Sequence, residues 1–153
     1  MLDNLTIDGA SSKDLKQIEN LLELVNLPTE GVKDHIKHFK IADIRTDQMK
    51  IHSIVGCIGL EIYGENGVLR SLAVHPDYQK RGIGRTLISN GLKFARMNGL
   101  KTLYLLTDTA RDYLISLGFQ EISRDAVPQI ILDSPEFSSI CPSTATCLSI
   151  SLE

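Results

Sequence analysis

The 153-residue chain contains no apolar run approaching the roughly 18 residues that a membrane-spanning helix needs. Its first residues, Met1-Leu2-Asp3-Asn4, carry neither the basic start nor the apolar stretch of a secretory signal, so a cytoplasmic protein with no membrane partner is expected. Positive charge is not in excess either. A formal net charge of -3 argues against a nucleic-acid surface. Cysteine is scarce and odd in number, at Cys57, Cys141 and Cys147, which fits reduced thiols. No two-residue cysteine spacing and no neighbouring histidine make a zinc site, so no metal is expected. Cys57 lies in an apolar stretch and reads as a small core residue, whereas Cys141 and Cys147 leave pairing or a soft-metal role open. His35, His38 and His52 show no ligand spacing. There is no repeat, low-complexity tract or linker, and a hydrophobic fraction of 42% with 23% charged residues suits one globular domain over 1–153.

Periodicity then divides the chain. Leu5-Thr6-Ile7 reads as a first strand. Ser11 and Asp14 are spaced as a capping pair, and Leu15, Ile18, Leu21, Leu22 and Val25 recur at helical spacing, predicting a helix over about 12–26. A short second helix is expected around Val32, Ile36 and Phe39. Strands should follow near Ile41–Arg45 and Ser53–Tyr63, joined by a turn at Thr46-Asp47-Gln48. Gly64-Glu65-Asn66-Gly67 is a stronger turn signal, because Asn-Gly tolerates positive φ. Val68–Val74 is the next strand, ended by His75-Pro76. Leu87, Ile88, Gly91, Leu92 and Ala95 mark a helix ending near Asn98-Gly99. Thr102–Thr107 reads as a buried strand, Ala110–Leu117 as a short helix, Phe119–Ser123 as a strand, Val127–Phe137 as helical turns and Thr146–Leu152 as a last strand. The expected class is mixed α/β (α+β), with a mostly antiparallel sheet of six or seven strands and about four helices.

Between a strand and a helix lies Gln79-Lys80-Arg81-Gly82-Ile83-Gly84. Free N–H groups at a helix start attract phosphate, aided by the helix dipole, and glycines let a pyrophosphate approach the backbone. Lys80, Arg81 and Arg85 add positive charge. The loop lacks the Gly-Lys-Ser/Thr of a P-loop, since Arg85 follows Gly84. It also lacks the third glycine of a dinucleotide fingerprint, where Leu87 stands.

The stretch Val68 to Gly84, with Ala73-Val74, the proline turn and Gln79-Lys80-Arg81-Gly82-Ile83-Gly84, resembles the acetyl-CoA-binding motif of the GNAT N-acetyltransferases. Ala110 and Leu117-Gly118-Phe119 match that superfamily's second helix motif, and together the likeness covers roughly residues 50–123. It implies a GNAT-like fold whose sheet splays between Val68–Val74 and Thr102–Thr107. It implies acetyl-CoA as co-substrate. Main-chain groups of Leu72, Ala73 and Val74 would hold the pantetheine arm, and Gln79, Lys80, Arg81, Gly82, Ile83, Gly84, Arg85 and Thr86 the pyrophosphate. A finer likeness joins Glu61-Ile62-Tyr63-Gly64, Leu69 to Val74 and the tail Val127-Pro128, Glu136-Phe137, Cys141-Pro142 and Cys147 to arsenic-resistance-type N-acetyltransferases, kin of the N-acetylglutamate synthase acetyltransferase domain. The acceptor it implies is the α-amine of a small amino acid or amino-acid analogue.

The residues themselves speak to that acceptor. Arg70, in an apolar strand and by alternation on the side of Leu72 and Val74, would bind a substrate carboxylate bidentately; the alternative is a pair with Glu61. Direct attack needs a free amine, and an α-ammonium with a pKa of about 8 gives up its proton readily. Glu61 is the first candidate to take it; His75 sits in the variable turn before proline. For the leaving thiolate, many family members carry a tyrosine where this chain has Leu114. Tyr113 is one residue early, about 100° around a helix, and Thr107 stands where many carry asparagine, so water is the favoured proton donor. Acetylation of a protein N-terminus and a non-catalytic acyl-CoA sensor remain the alternatives, and a homodimer is left open.

Overall fold

The computed structural model describes residues 4–45, 52–140 and 144–153. The expected turn at Thr46-Asp47-Gln48 and the dipeptide Cys141-Pro142 lie outside them. Among the described residues, seven strands form one mixed sheet in the order β1-β2-β3-β4-β5-β7-β6: β1 (Leu5–Gly9), β2 (Phe39–Arg45), β3 (His52–Tyr63), β4 (Asn66–Val74), β5 (Thr102–Thr107), β6 (Gln120–Glu121) and β7 (Thr146–Ser151). The helices are α1 (Leu15–Leu24), α2 (Val32–His35), α3 (Ile83–Met97), α4 (Arg111–Ser116) and α5 (Gln129–Leu132). Among the described residues no helix is long and apolar enough to cross a membrane.

The described residues gather into two compact units, one within Met1–Leu60 and Ser71–Lys93, the other within Glu61–Arg70 and Phe94–Glu153. In the first, β1 runs antiparallel to β2, from Leu5 opposite Ile44 to Gly9 opposite Lys40. β2 runs antiparallel to β3 with a bulge between Ala42 and Asp43. The Ser11 amide donates to Asp14 Oδ2 at 2.9 Å, closing the expected cap on a 3₁₀ turn that leads into α1. Helical spacing then puts Ile18, Leu21 and Leu22 on one face, where they pack with Val32, Phe39, Ile41, Cys57 and Ala73. Each such large aliphatic contributes roughly 1.5–3 kcal/mol by leaving water.

In the second unit β4 begins parallel to β5, with Asn66, Gly67 and Val68 opposite Thr102, Leu103 and Tyr104. β5 pairs antiparallel with β7 along its whole length, and the short β6 adds to β7. Val68, Tyr104, Val127, Ile131, Phe137 and Cys147 form the core of this unit.

Three local expectations are corrected. Phe39 is not helical. α2 lasts one turn, a 3₁₀ turn follows, and Phe39 opens β2 in an extended conformation with its ring fully buried. The positive φ of the β3–β4 turn falls on Gly64, at 67°, and not on Asn66-Gly67, which already belong to β4. Gly67 is a glycine for lack of room: an added Cβ would lie 2.8 Å from Leu100 and Leu103 side-chain atoms and 3.1 Å from the Glu61 carbonyl. The strand expected over Phe119–Ser123 shrinks to Gln120–Glu121, because the Ser123 hydroxyl accepts from the Asp125 amide and starts a 3₁₀ turn.

Candidate functional site

The first candidate site follows β4. After Val74 the chain turns through Pro76–Tyr78, anchored by the His75 amide donating to the Val55 carbonyl at 2.8 Å. His75 Nδ1 accepts from the Asp77 amide at 3.1 Å, so the turn engages that nitrogen. The Arg81 guanidinium stacks 5.5 Å above the Tyr78 ring. Two left-handed residues, Lys80 at φ 65° and Gly82 at φ 86°, then reverse the chain into α3. Nothing lies within 4 Å of a Cβ placed on Gly82, so its backbone, not crowding, demands glycine. Thr86 donates its amide and its hydroxyl to the Gly82 carbonyl, at 3.1 and 2.9 Å. The amides before it therefore head the helix without helical partners. Ile83 is buried and pins the helix start, Gly84 is half-buried, and Gln79, Lys80, Arg81, Gly82, Arg85 and Thr86 are exposed. A helix N-terminus flanked by the exposed cations Lys80, Arg81 and Arg85 can attract an anion.

In the last turn of β4, Ala73 faces the core while Leu72 and Val74 are half-buried. Gln79, expected among the pyrophosphate residues, turns its amide nitrogen to the Val74 carbonyl at 3.0 Å. The strand is irregular just before this point. Ser71 sits at φ 58°, and its carbonyl accepts from the Cys57 thiol at 3.2 Å. The alternation that would align Arg70 with Leu72 and Val74 therefore does not run through Ser71.

The second candidate site is a buried polar cluster on β3, β4 and the π-helical turn Glu136–Ile140. Arg70 Nη1 donates to Glu61 Oε2 at 2.8 Å and lies 3.6 Å from Glu136 Oε2. The Tyr63 hydroxyl donates to Glu61 Oε1 at 2.6 Å. The side chains of Glu61 and Arg70 are each only 1% exposed. Burial raises the Tyr63 phenol pKa well above its ordinary value, and the bond to Glu61 raises it further. The Arg70 guanidinium thus lies against two carboxylates of the protein itself, the pairing with Glu61 that the sequence offered as one alternative.

Sequence reasoning brought Glu61 and Arg70 forward and noted their pairing as one alternative. Tyr63 was missed as a site residue, although residues two apart share a strand face and that spacing from Glu61 could have found it. Glu136 entered only within the tail that carries the finer likeness, with no role attached, because its approach to Arg70 depends on the tertiary fold of a distant segment. On α4, Leu114 is buried and Tyr113 is 42% exposed, so the helix turns the aliphatic residue inward where many family members carry tyrosine. The Thr107 hydroxyl accepts from the Ala110 amide at 3.0 Å ahead of that helix. Among the described residues no cluster of His, Cys, Asp or Glu could hold a metal ion.

Comparison with known proteins gives the family and the fold. Residues 38–121 match the acetyltransferase (GNAT) domain family. The chain is 26% identical over 124 residues to an N-acetyltransferase of Chlorobaculum tepidum, covering 80% of this chain and 74% of that protein. It is 27% identical over 134 residues to an amino-acid acetyltransferase of Neisseria meningitidis, spanning 82% of this chain but only 29% of that longer protein. The fold matches Neisseria gonorrhoeae N-acetylglutamate synthase, solved with coenzyme A and N-acetyl-glutamate. There the TM-score is 0.79 at 25% identity, over 97% of this chain and 35% of that one. With more than half its length matched by that domain family, the chain belongs to the GNAT acetyltransferases and is an acetyl-CoA-dependent N-acetyltransferase.

Proposed function

We propose that this domain transfers the acetyl group of acetyl-CoA to the α-amine of a small amino acid or amino-acid analogue. The observation that carries the reading is the likeness to amino-acid acetyltransferases over four-fifths of the chain. Relatives of that kind are far longer, the chain spanning 29% of the Neisseria meningitidis protein, so the likeness concerns the acetyltransferase domain and not the rest of those proteins.

Each candidate site has its part. The amides from Lys80 to Thr86, with Lys80, Arg81 and Arg85, hold the pyrophosphate. Main-chain groups of Leu72, Ala73 and Val74 hold the pantetheine arm. Gln79 releases the Val74 carbonyl wherever the arm needs it, at the modest net cost of one exposed hydrogen bond, about 1 kcal/mol. The acceptor arrives as an ammonium and must lose a proton before its lone pair can attack the thioester carbon. Glu61 receives that proton. Arg70 is a positioning residue that orients the Glu61 carboxylate. The exposed Tyr113 hydroxyl is not the acid for the leaving thiolate; water reprotonates it.

The test compares a free α-amino acid with the same residue at the N-terminus of a short peptide. The reading expects kcat/KM to favour the free amino acid by tenfold or more. Preference for the peptide would transfer the assignment to protein N-termini. Tight acetyl-CoA binding with no turnover on any amine would make the domain an acyl-CoA sensor.

A further inference from the structure

We infer that Tyr63 is a catalytic proton relay, passing the acceptor ammonium's proton to the buried Glu61 through its hydroxyl. The inference rests on the reading of Glu61 as proton acceptor and supplies the path that this reading lacks. Glu61 is fully buried, at 0% exposure. One of its oxygens accepts from Arg70 and the other from the Tyr63 hydroxyl. A substrate amine has no surface of Glu61 to touch. Tyr63 is only half-buried, and it shares the strand face of Glu61 two residues away. Its 2.6 Å bond is in the range of a charge-assisted O–H···O⁻ contact. A phenol has one proton to give and two lone pairs to receive with. While the proton points at Glu61, a lone pair is left for an incoming N–H.

The step balances. The ammonium N–H breaks and its proton passes to Tyr63 Oη, as the Tyr63 O–H breaks and that proton passes to Glu61 Oε1. The electron pair stays on the nitrogen, which attacks the thioester carbon; the C–S bond of the adduct then breaks, and the adduct's second nitrogen proton passes through water to the departing thiolate. Tyr63 ends as it began, and Glu61 becomes a neutral acid that later returns its proton to water by the same route. Glu136 explains why the buried cluster tolerates this. With Glu61 and Glu136 ionised and Arg70 cationic, the three carry a formal charge of −1. After transfer they carry zero, because Arg70 keeps a counter-ion in Glu136, 3.6 Å away. With Glu61 as its sole partner, the protonated state would leave a buried, uncompensated guanidinium, which proteins avoid.

Tyr63 acts as relay and not as base, since burial and the bond to Glu61 keep its phenol protonated. The other titratable groups of the same core are Tyr104, whose phenol pKa burial also raises, and Cys147, whose thiol burial pushes up to about 11. Neither changes charge in the neutral range.

The experiment measures thiol release from acetyl-CoA by wild type, Tyr63→Phe and Glu61→Gln, with a panel of free α-amino acids, near pH 7 and near pH 9.5. At the lower pH, loss of a proton-transfer group should reduce kcat by roughly 10²–10³ in both variants. At the higher pH the α-amine, with a pKa of about 8, arrives already deprotonated. The Tyr63→Phe deficit should then shrink to under about tenfold, with acetyl-CoA affinity by calorimetry unchanged at both. An equal deficit at both pH values means a structural hydroxyl and overturns the relay. Impairment of Glu61→Gln alone, with Tyr63→Phe within threefold of wild type, overturns the relay but keeps Glu61 as acceptor. Full activity in both overturns Glu61 and the relay with it, as does the absence of thiol release with every amino acid. Should Tyr63→Phe fail to fold, wild-type rates in mixtures of light and heavy water serve instead. Two protons in flight give a curved dependence on deuterium fraction, and a straight line overturns the relay.

Discussion

Arg70 is held between Glu61 and Glu136, and its neighbours define what its loss would do. Arg70→Met removes the cation from between two buried carboxylates. Breaking a buried pair from one side costs about 3–5 kcal/mol, so a urea titration should show a correspondingly lower midpoint with an unchanged slope. Arg70→Lys keeps the charge but loses the planar fork. If Arg70 works through Glu61, kcat/KM should fall equally for acceptors with and without a carboxylate. A loss confined to carboxylate-bearing acceptors would restore Arg70 as a direct substrate contact. Tyr113→Phe should reduce kcat by less than about tenfold, far below the usual general-acid contribution. A drop of three orders of magnitude in steady-state turnover would make the exposed hydroxyl the acid after all.

At the scale of elements, the loop entering α3 is where sequence and backbone agree most closely. Gly82 is required by its φ of 86°, and a valine there would be strained by roughly 1–3 kcal/mol. Because no atom lies near its Cβ position, Gly82→Val should stay folded and weaken acetyl-CoA binding by at least tenfold in a calorimetric titration. Wild-type affinity in the folded variant would remove the loop from the coenzyme site. The long elements were legible for a physical reason: α1 and α3 keep helical spacing, and β5 is a short apolar run with three buried residues in a row. Phe39 was misread because Val32, Ile36 and Phe39 mimic helical spacing across what is a helical turn, a 3₁₀ turn and a strand start. Gly67 was misread because an Asn-Gly pair in a strand whose glycine is dictated by packing looks the same as one in a turn. The irregularity at Ser71 was invisible, since nothing in Arg70-Ser71-Leu72 announces a left-handed serine.

For the whole molecule, the coenzyme loop was readable because its chemistry is local, six consecutive residues at a helix start. The buried cluster was readable only in part. Glu61, Tyr63 and Arg70 lie on neighbouring strands close in sequence, whereas Glu136 arrives from a segment dozens of residues away. β3, β4 and α3 each run through both compact units, and we propose that 1–153 unfolds as one domain. Calorimetry should then give a single transition whose van't Hoff and calorimetric enthalpies agree. Two resolved transitions would divide the chain. Acetyl-CoA at 100 times its Kd should stabilise the native state by about 2.7 kcal/mol, raising Tm by roughly 5–10 °C for a chain of this size.

The proposed reaction is acetyl transfer from acetyl-CoA to a small amino acid's α-amine. Its most direct measurement is free-thiol release by the purified wild-type chain across a panel of free amino acids, with each product's acetylation site read by mass spectrometry. Stoichiometric coenzyme A release is expected with at least one amino acid, acetylated on its α-nitrogen. Saturable acetyl-CoA binding without thiol release on any free amino acid, or acetylation confined to side-chain or peptide amines, would contradict it.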